Sequence, residues 1–197
     1  GKHNLENISC AIEVARILNI EEEVIKKTIK NFNPISGRLE FVKSIKGIKI
    51  YNDNNSTTPE ATGVALLALG EILPGVGHPY RVSNTRQGVG EKKIVLIMGG
   101  FDKNLELKKL VENIKKYVKE VVLIPGNGTN RISPMLHKIR GLHIHKEKDL
   151  KSVVLKTYSL AKKGDVILFS PAFASFGMFH NEYDRGDQFI KIVKGLK

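Results

Sequence analysis

Leu5, Ile8, Ile12 and Ala15 recur at spacings of three and four, and so do Val24, Ile25, Ile29 and Phe32. Each set lines one face of a helix, so the chain is expected to open on two amphipathic helices. Asn4 stands where a cap would satisfy the free N–H groups of the first helix. The second runs from Glu21 to Phe32, and its acidic start and lysine-rich end suit the helix dipole. Pro34 then stops helical structure, and Pro34 to Gly37 reads as a linker.

From Arg38 onward strands alternate with helices. Strands are expected at Leu39–Val42, Ile48–Asp53, Lys93–Met98, Glu120–Ile124, Leu142–His145 and Asp165–Phe169. The later ones are short, β-branched and nearly all apolar, as strands buried on both faces of a parallel sheet are. Helices are expected at Pro59–Leu69, Leu105–Tyr117, about Asn130–Ile139, Asp149–Lys162 and Asp187–Leu196. The fold class is therefore α/β, a three-layer, Rossmann-like, mostly parallel sheet preceded by two helices. Residues 1–34 form one part and 35–197 the other. Glu71 to Lys92 has no usable periodicity and carries Pro74, Gly75, Gly77, Pro79, Gly88 and Gly90, so it reads as a surface insertion.

Composition narrows the function classes. The longest apolar stretch, Val64 to Val76, is interrupted and too short to cross a bilayer, and no signal peptide pattern opens the chain. One cysteine, Cys10, excludes an internal disulfide and suits a reducing, cytoplasmic setting. The net charge of +12 favours anionic partners, but the lysines are spread along helix patterns as solvated faces. No zinc-finger spacing or aromatic-rich RNA-binding signature accompanies them. The missing initiator Met suggests a fragment.

Chemistry concentrates after three strands. Nearly every side chain from Asn52 to Glu60 can form hydrogen bonds, more than capping of one helix requires. Asp53 or Thr58 could be caps. Gly99-Gly100-Phe101-Asp102-Lys103 combines a tight turn with a point charge, and Ser170-Pro171-Ala172-Phe173-Ala174-Ser175-Phe176 follows the last strand. Hydroxyls, an ammonium and a carboxylate at one sheet edge describe a pocket for a small polyanion. Ser175 lacks the surroundings of a nucleophile elbow. Gly126-Asn127-Gly128 is a poor dinucleotide fingerprint, because Arg131 stands where its third glycine belongs.

Gly1-x-His3-Asn4-x-x-Asn7, Gly37-Arg38-Leu39-Glu40-Phe41, Asn52-Asp53 followed by Thr58-Pro59-Glu60-Ala61-Thr62, Gly99-Gly100-x-Asp102-Lys103, Ser170-Pro171-Ala172-x-Ala174-Ser175-Phe176 and Arg185-Gly186-Asp187-x-Phe189 occur in that order. This series resembles the Mur ligase family, ATP-driven amide ligases of cell-wall precursor synthesis, and within it the D-glutamate-adding members. The resemblance implies that residues 1–34 are the helical tail of a central ATP-binding domain and 35–197 a C-terminal domain. It implies D-glutamate contacts from Thr57, Lys103, Ser175 and the Phe176 backbone, and nucleotide contacts from Asn4, Asn7, Arg38 and Asp53. ATP with magnesium would be the cofactors, and D-glutamate and UDP-N-acetylmuramoyl-L-alanine the substrates of a cytoplasmic monomer without nucleic-acid or membrane partners. No metal ligand and no catalytic residue is assigned in this chain. The phosphate-binding loop G-x-x-x-x-G-K-[ST] does not occur. The phosphate loop and magnesium ligands are therefore expected upstream, and the chain alone is expected to be inactive.

Asn54-Asn55 replaces the Ser-Lys or Thr-Thr common in the family, and Gly37 replaces a histidine. A folylpolyglutamate-type or other Mur ligase domain, or a basic α/β module binding nucleic acid, are the alternatives.

Overall fold

The computed structural model describes residues 2–32, 35–72 and 92–197, without the side chains of residues 2–4, 71 and 72. The chain divides into two compact units, Gly1–Ile35 and Ser36–Lys197.

The first unit is a helix pair, α1 (Lys2–Ile17) and α2 (Glu22–Lys30). Asn4 is the third residue of α1 rather than its cap, because helical structure begins at Lys2. Arg16 joins the pair, its Nε 2.7 Å from Glu22 and its Nη1 2.8 Å from Glu13. Such exposed ion pairs contribute little. Ile25 is buried, while Leu5, Ile17, Leu18 and Phe32 are exposed.

Among the described residues the second unit carries six strands: β1 (Glu40–Ile45), β2 (Ile48–Asn52), β3 (Ile94–Gly99), β4 (Val118–Ile124), β5 (His143–Lys146) and β6 (Val166–Phe169). They form one sheet in the order β1-β2-β6-β3-β4-β5. Only β1, hairpinned onto β2, runs antiparallel to its neighbour. The expected strands are all present, within three residues of their expected limits.

Five helices among the described residues cover the sheet: α3 (Pro59–Ile72), α4 (Lys108–Tyr117), α5 (Asn127–Leu136), α6 (Leu150–Leu160) and α7 (Glu182–Lys194). Alternation along the strands sorts the core into two layers. Ile94, Leu96 and Met98 of β3 face Leu66 of α3, Leu110 of α4 and Leu136 of α5. Val95 and Ile97 face Val153 of α6 and Phe189 of α7 on the other side. Phe169 and Phe189 stack with ring centroids 4.3 Å apart. The result is the three-layer α/β sandwich that the apolar strand pattern requires. No helix among the described residues is long and apolar enough to cross a membrane.

Three helix starts differ from expectation. α4 begins at Lys108, three residues after the expected Leu105. α5 begins at Asn127, directly after Gly126. α7 begins at Glu182, five residues before the expected Asp187, because Asn181 Oδ1 accepts the Asp184 N–H at 2.9 Å and caps it. Arg185 and Gly186 are therefore helical residues. Of the expected insertion over 71–92, residues 73–91 lie outside the described residues.

Candidate functional site

The order of strands decides where a ligand can sit. β3 leads through α4 to β4 and β5 on one side, whereas β6 returns to its other side. The loops after β2, β6 and β3, all three singled out for their polarity, therefore leave neighbouring parallel strands at one edge. Such a switch point, outside the carboxyl ends of the strands, is where open α/β sheets bind ligands.

The turn after β2 is organised by Asp53, which is 4% exposed. Its Oδ1 accepts the Leu39 N–H at 3.1 Å, and its Oδ2 lies 2.6 Å from Ser56 Oγ and 2.7 Å from Ser170 Oγ. Ser170 Oγ is also 2.8 Å from Thr62 Oγ1 on α3. Burial raises the Asp53 pKa, against the opposing effect of Ser56, Ser170, the Leu39 N–H and the Arg38 charge. Asp53 thus binds together the approach to β1, its own turn and the end of β6. Two residues held by this turn have left-handed backbone, Leu39 at φ +45° and Ala172 at φ +63°, the latter donating its N–H to Ser56 O at 2.9 Å. Such conformations cost non-glycine residues about 1–2 kcal/mol and persist where the surroundings enforce them. Thr58, rather than Asp53, caps α3: its Oγ1 accepts the Ala61 N–H at 3.3 Å.

Arg38 itself is exposed, and the chain on both sides of it is fixed. Glu40 Oε2 accepts from Ser36 Oγ at 2.8 Å, Gly37 N at 2.9 Å and Asn52 Nδ2 at 3.0 Å. Burial pushes the Glu40 pKa up, but these hydrogen bonds outweigh it and leave the carboxyl below its ordinary value. The two carboxylates therefore hold the turn that carries Arg38.

Lys103 reaches across from the β3 loop to the β2 loop, donating from Nζ to Thr57 Oγ1 at 3.1 Å. Asp102 steadies its base. Arg131 of α5 donates to both Asp102 oxygens at 3.0 and 3.1 Å, Asn127 Oδ1 accepts the Asp102 N–H at 2.8 Å, and Asp102 Oδ1 accepts the Asn104 N–H at 2.9 Å. The β3 and β6 loops are joined by a two-bond bridge between Phe101 and Ala174 (2.9 and 3.0 Å), extended by an edge-to-face contact of Phe101 with Phe176. Ser175, next in the chain, is buried in a tightly packed spot with Gly99, Gly100, Pro125 and Arg185. Thr57 and Lys103 are thus in direct contact, and Ser175 and Phe176 sit on the loop bridged to the one that carries Lys103. Asn7 is exposed on α1, and the Asn4 side chain lies outside those described. Among the described residues, no group of three or more His, Cys, Asp or Glu is arranged to hold a metal ion.

The structure adds two residues that sequence reasoning left without a role. Arg185 is 1% exposed. Its Nε donates to Asn54 Oδ1 at 2.6 Å, its Nη2 to Asn54 O at 3.0 Å and its Nη1 to Phe173 O at 3.1 Å. Asn54 Nδ2 in turn donates to the Glu182 carbonyl. The amide that departs from the family pattern is therefore enclosed and paired. Asn55, the second departure, donates from Nδ2 to Ser36 O at 3.0 Å, and its amide occupies the space beside Gly37. The two unusual residues, Gly37 and Asn55, are neighbours.

This sheet, with its polar loops gathered at the switch point, has the build of α/β domains that hold ligands at that edge. The family model described as Mur ligase, glutamate ligase domain, matches residues 37–173, and the chain belongs to that family. It is 36% identical over 196 residues to the UDP-N-acetylmuramoylalanine--D-glutamate ligase of Caldicellulosiruptor saccharolyticus, covering 100% of this chain and 38% of that protein. The ligase of the same name from Streptococcus pneumoniae is 36% identical over 197 residues, which make up 100% of this chain and 39% of that protein. The chain therefore spans well under half the length of these curated relatives. Among solved structures, UDP-N-acetylmuramate-alanine ligase MurC from Thermotoga maritima superposes with a TM-score of 0.68 at 16% identity, over 100% of this chain and 39% of that one. Folylpolyglutamate synthase from the same organism does so with a TM-score of 0.60 at 14% identity, over 97% and 39%. At such identities the structural likeness shows the fold alone.

Proposed function

We propose that this chain is part of a cytoplasmic ATP-dependent amide ligase that adds D-glutamate to UDP-N-acetylmuramoyl-L-alanine, and that it supplies the amino-acid pocket. The observation that carries the reading is the Lys103–Thr57 hydrogen bond between two loops at the switch point. An ammonium and a hydroxyl so paired can turn together toward a carboxylate, and the Ser175 hydroxyl and Phe176 N–H are candidates for the second carboxylate of the same molecule. Charge-assisted hydrogen bonds of this kind favour a dicarboxylic amino acid over a neutral one. The names of the relatives at 36% identity support D-glutamate as that amino acid.

In this reading the pocket's task is orientation. It holds D-glutamate by its carboxylates and leaves the amine free to attack an acyl phosphate formed on the alanine carboxylate. Bound ATP supplies the phosphoryl group that activates the carboxylate. Arg38, exposed on a turn braced by Asp53 and Glu40, is the side chain of this unit that fits an anionic phosphate or ribose edge. Asn4 and Asn7 are proposed for the adenine side. No residue of this chain is assigned to magnesium.

The test is phosphate release by the protein that carries this chain, supplied with ATP, magnesium and UDP-N-acetylmuramoyl-L-alanine, with D-glutamate compared against L-glutamate, L-alanine and folate substrates. Turnover that depends on D-glutamate supports the reading. Turnover with another amino acid and none with D-glutamate overturns it.

A further inference from the structure

Arg185 poses a physical problem that the fold alone does not answer. A guanidinium 1% exposed in the interior is costly unless an opposite charge accompanies it. Yet its three hydrogen-bond acceptors are an amide oxygen and two main-chain carbonyls, from Asn54 and Phe173. Among the described residues no carboxylate forms an ion pair with it, and Glu182, one turn earlier on α7, is the acid whose field acts on it. Burial lowers its pKa to about 10, so it remains charged at neutral pH. The neutral cradle is also tightly built. Gly186 is flush against the Asn54 side chain, and a Cβ there would come within 3.1 Å of Asn54 Nδ2. An aspartate at position 54 would keep the acceptor facing Nε and neutralise the charge, at the cost of the bond that Asn54 Nδ2 donates to the Glu182 carbonyl.

The three partners lie on the segments that bear the proposed pocket. Asn54 is three residues before Thr57, and Phe173 is two before Ser175. Arg185 and Ser175 also lie together at one tightly packed spot of the sheet edge. We infer that Arg185, held by Asn54 without a counter-charge, is a positioning residue for the amino-acid substrate: it sets the β2 loop against the β6 loop and supplies a buried positive potential that favours a dicarboxylate there. The inference rests on the D-glutamate reading of the pocket. It places no substrate atom on Arg185, which acts through Asn54, through the Phe173 carbonyl and through its field.

The decisive variant is Asn54→Asp in the ligase that carries this chain, with KM for D-glutamate, KM for ATP and melting temperature measured together. A residue that only braces the loops predicts unchanged KM values whenever the melting temperature is kept. The inference predicts a KM for D-glutamate raised about tenfold by loss of the unbalanced charge, with KM for ATP unchanged. Arg185→Lys and Arg185→Gln form a second pair that remains informative if Asn54→Asp does not fold. Lysine keeps the charge without the fork and should hold KM for D-glutamate within about threefold, while glutamine should raise it about tenfold. Equal KM for D-glutamate in wild type, Asn54→Asp and Arg185→Gln overturns the inference and leaves the substrate reading intact. If wild type turns over without D-glutamate, titration with glutarate separates the two: tight binding that weakens in Asn54→Asp sustains the inference alone, and no binding overturns both.

Discussion

Ser170 Oγ lies 2.7 Å from Asp53 Oδ2, joining the end of β6 to the turn after β2 across 117 residues of chain. Burial leaves Asp53 with a pKa above the ordinary 3.8, despite the hydrogen bonds it accepts. A raised pKa means that the folded protein binds this proton more tightly than the unfolded chain does. The associated stability is complete below 3.8 and is lost as pH rises through the folded value. Asp53→Asn carries no such titration. Denaturant unfolding of wild type and variant from about pH 4 to about pH 7 should show wild type losing stability relative to the variant. A difference that stays flat with pH would contradict this account of Asp53.

Lys103 is exposed, so its removal should leave the fold almost untouched and act on the substrate. Lys103→Ala forfeits a charge-assisted bond of roughly 1.5–3 kcal/mol, equivalent to about a tenfold to hundredfold rise in KM for D-glutamate. Lys103→Arg should restore little, since a planar fork does not reproduce the point contact with Thr57. Steady-state kinetics with D-glutamate as the varied substrate decide the matter, and an unchanged KM in Lys103→Ala would remove it from the pocket.

Gly37 and Asn55 should behave as a coupled pair. Gly37 has φ +76°, and a Cβ at that position would come within 2.9 Å of Asn55 Oδ1. Gly37→Ala should cost about 1–2 kcal/mol from backbone strain, and more from the crowding of Asn55. Asn55→Ala makes room without relieving the strain. In a double-mutant cycle the pair should therefore be less destabilised than the sum of the two single variants. Strict additivity in chemical denaturation would show that Asn55 yields freely.

The 197-residue chain contains no phosphate-binding loop motif. Phosphoryl transfer depends on backbone donors and cations around the terminal phosphate. The purified chain should release no phosphate above background with ATP, magnesium and both proposed substrates. Release that depends on D-glutamate would place catalytic groups in this chain that the present assignment lacks.

Much of the sheet was legible because β3, β6 and the Val121–Ile124 part of β4 are buried on both faces and so read as unbroken apolar runs. The polar density after β2 was legible too, but its division of labour was not. Asp53, Asn54 and Ser56 look as ligand-like in the sequence as Thr57 does, yet they are buried and bonded inward. What separates them is partners far along the chain, Ser170 at 117 residues and Arg185 at 131. The early start of α7, set by the Asn181 cap on Asp184, was hidden by Gly186. Gly186 reads as a break in helical pattern, and only its packing against Asn54 explains a glycine inside the helix.

The central place of β6 also governs the order in which the molecule can be assembled. During synthesis, the β1–β2 hairpin and the β3–β4–β5 group emerge before β6 exists, and β2 and β3 never pair with each other. Each group keeps an open edge until residues 166–169 leave the ribosome and slot between them. Contacts so distant in sequence slow folding, and unpaired edges expose a nascent chain to aggregation. Arg185 follows β6 by only a short stretch of chain. Closure of the sheet and formation of the proposed pocket are therefore both late events, and a chain released before β6 is made has neither.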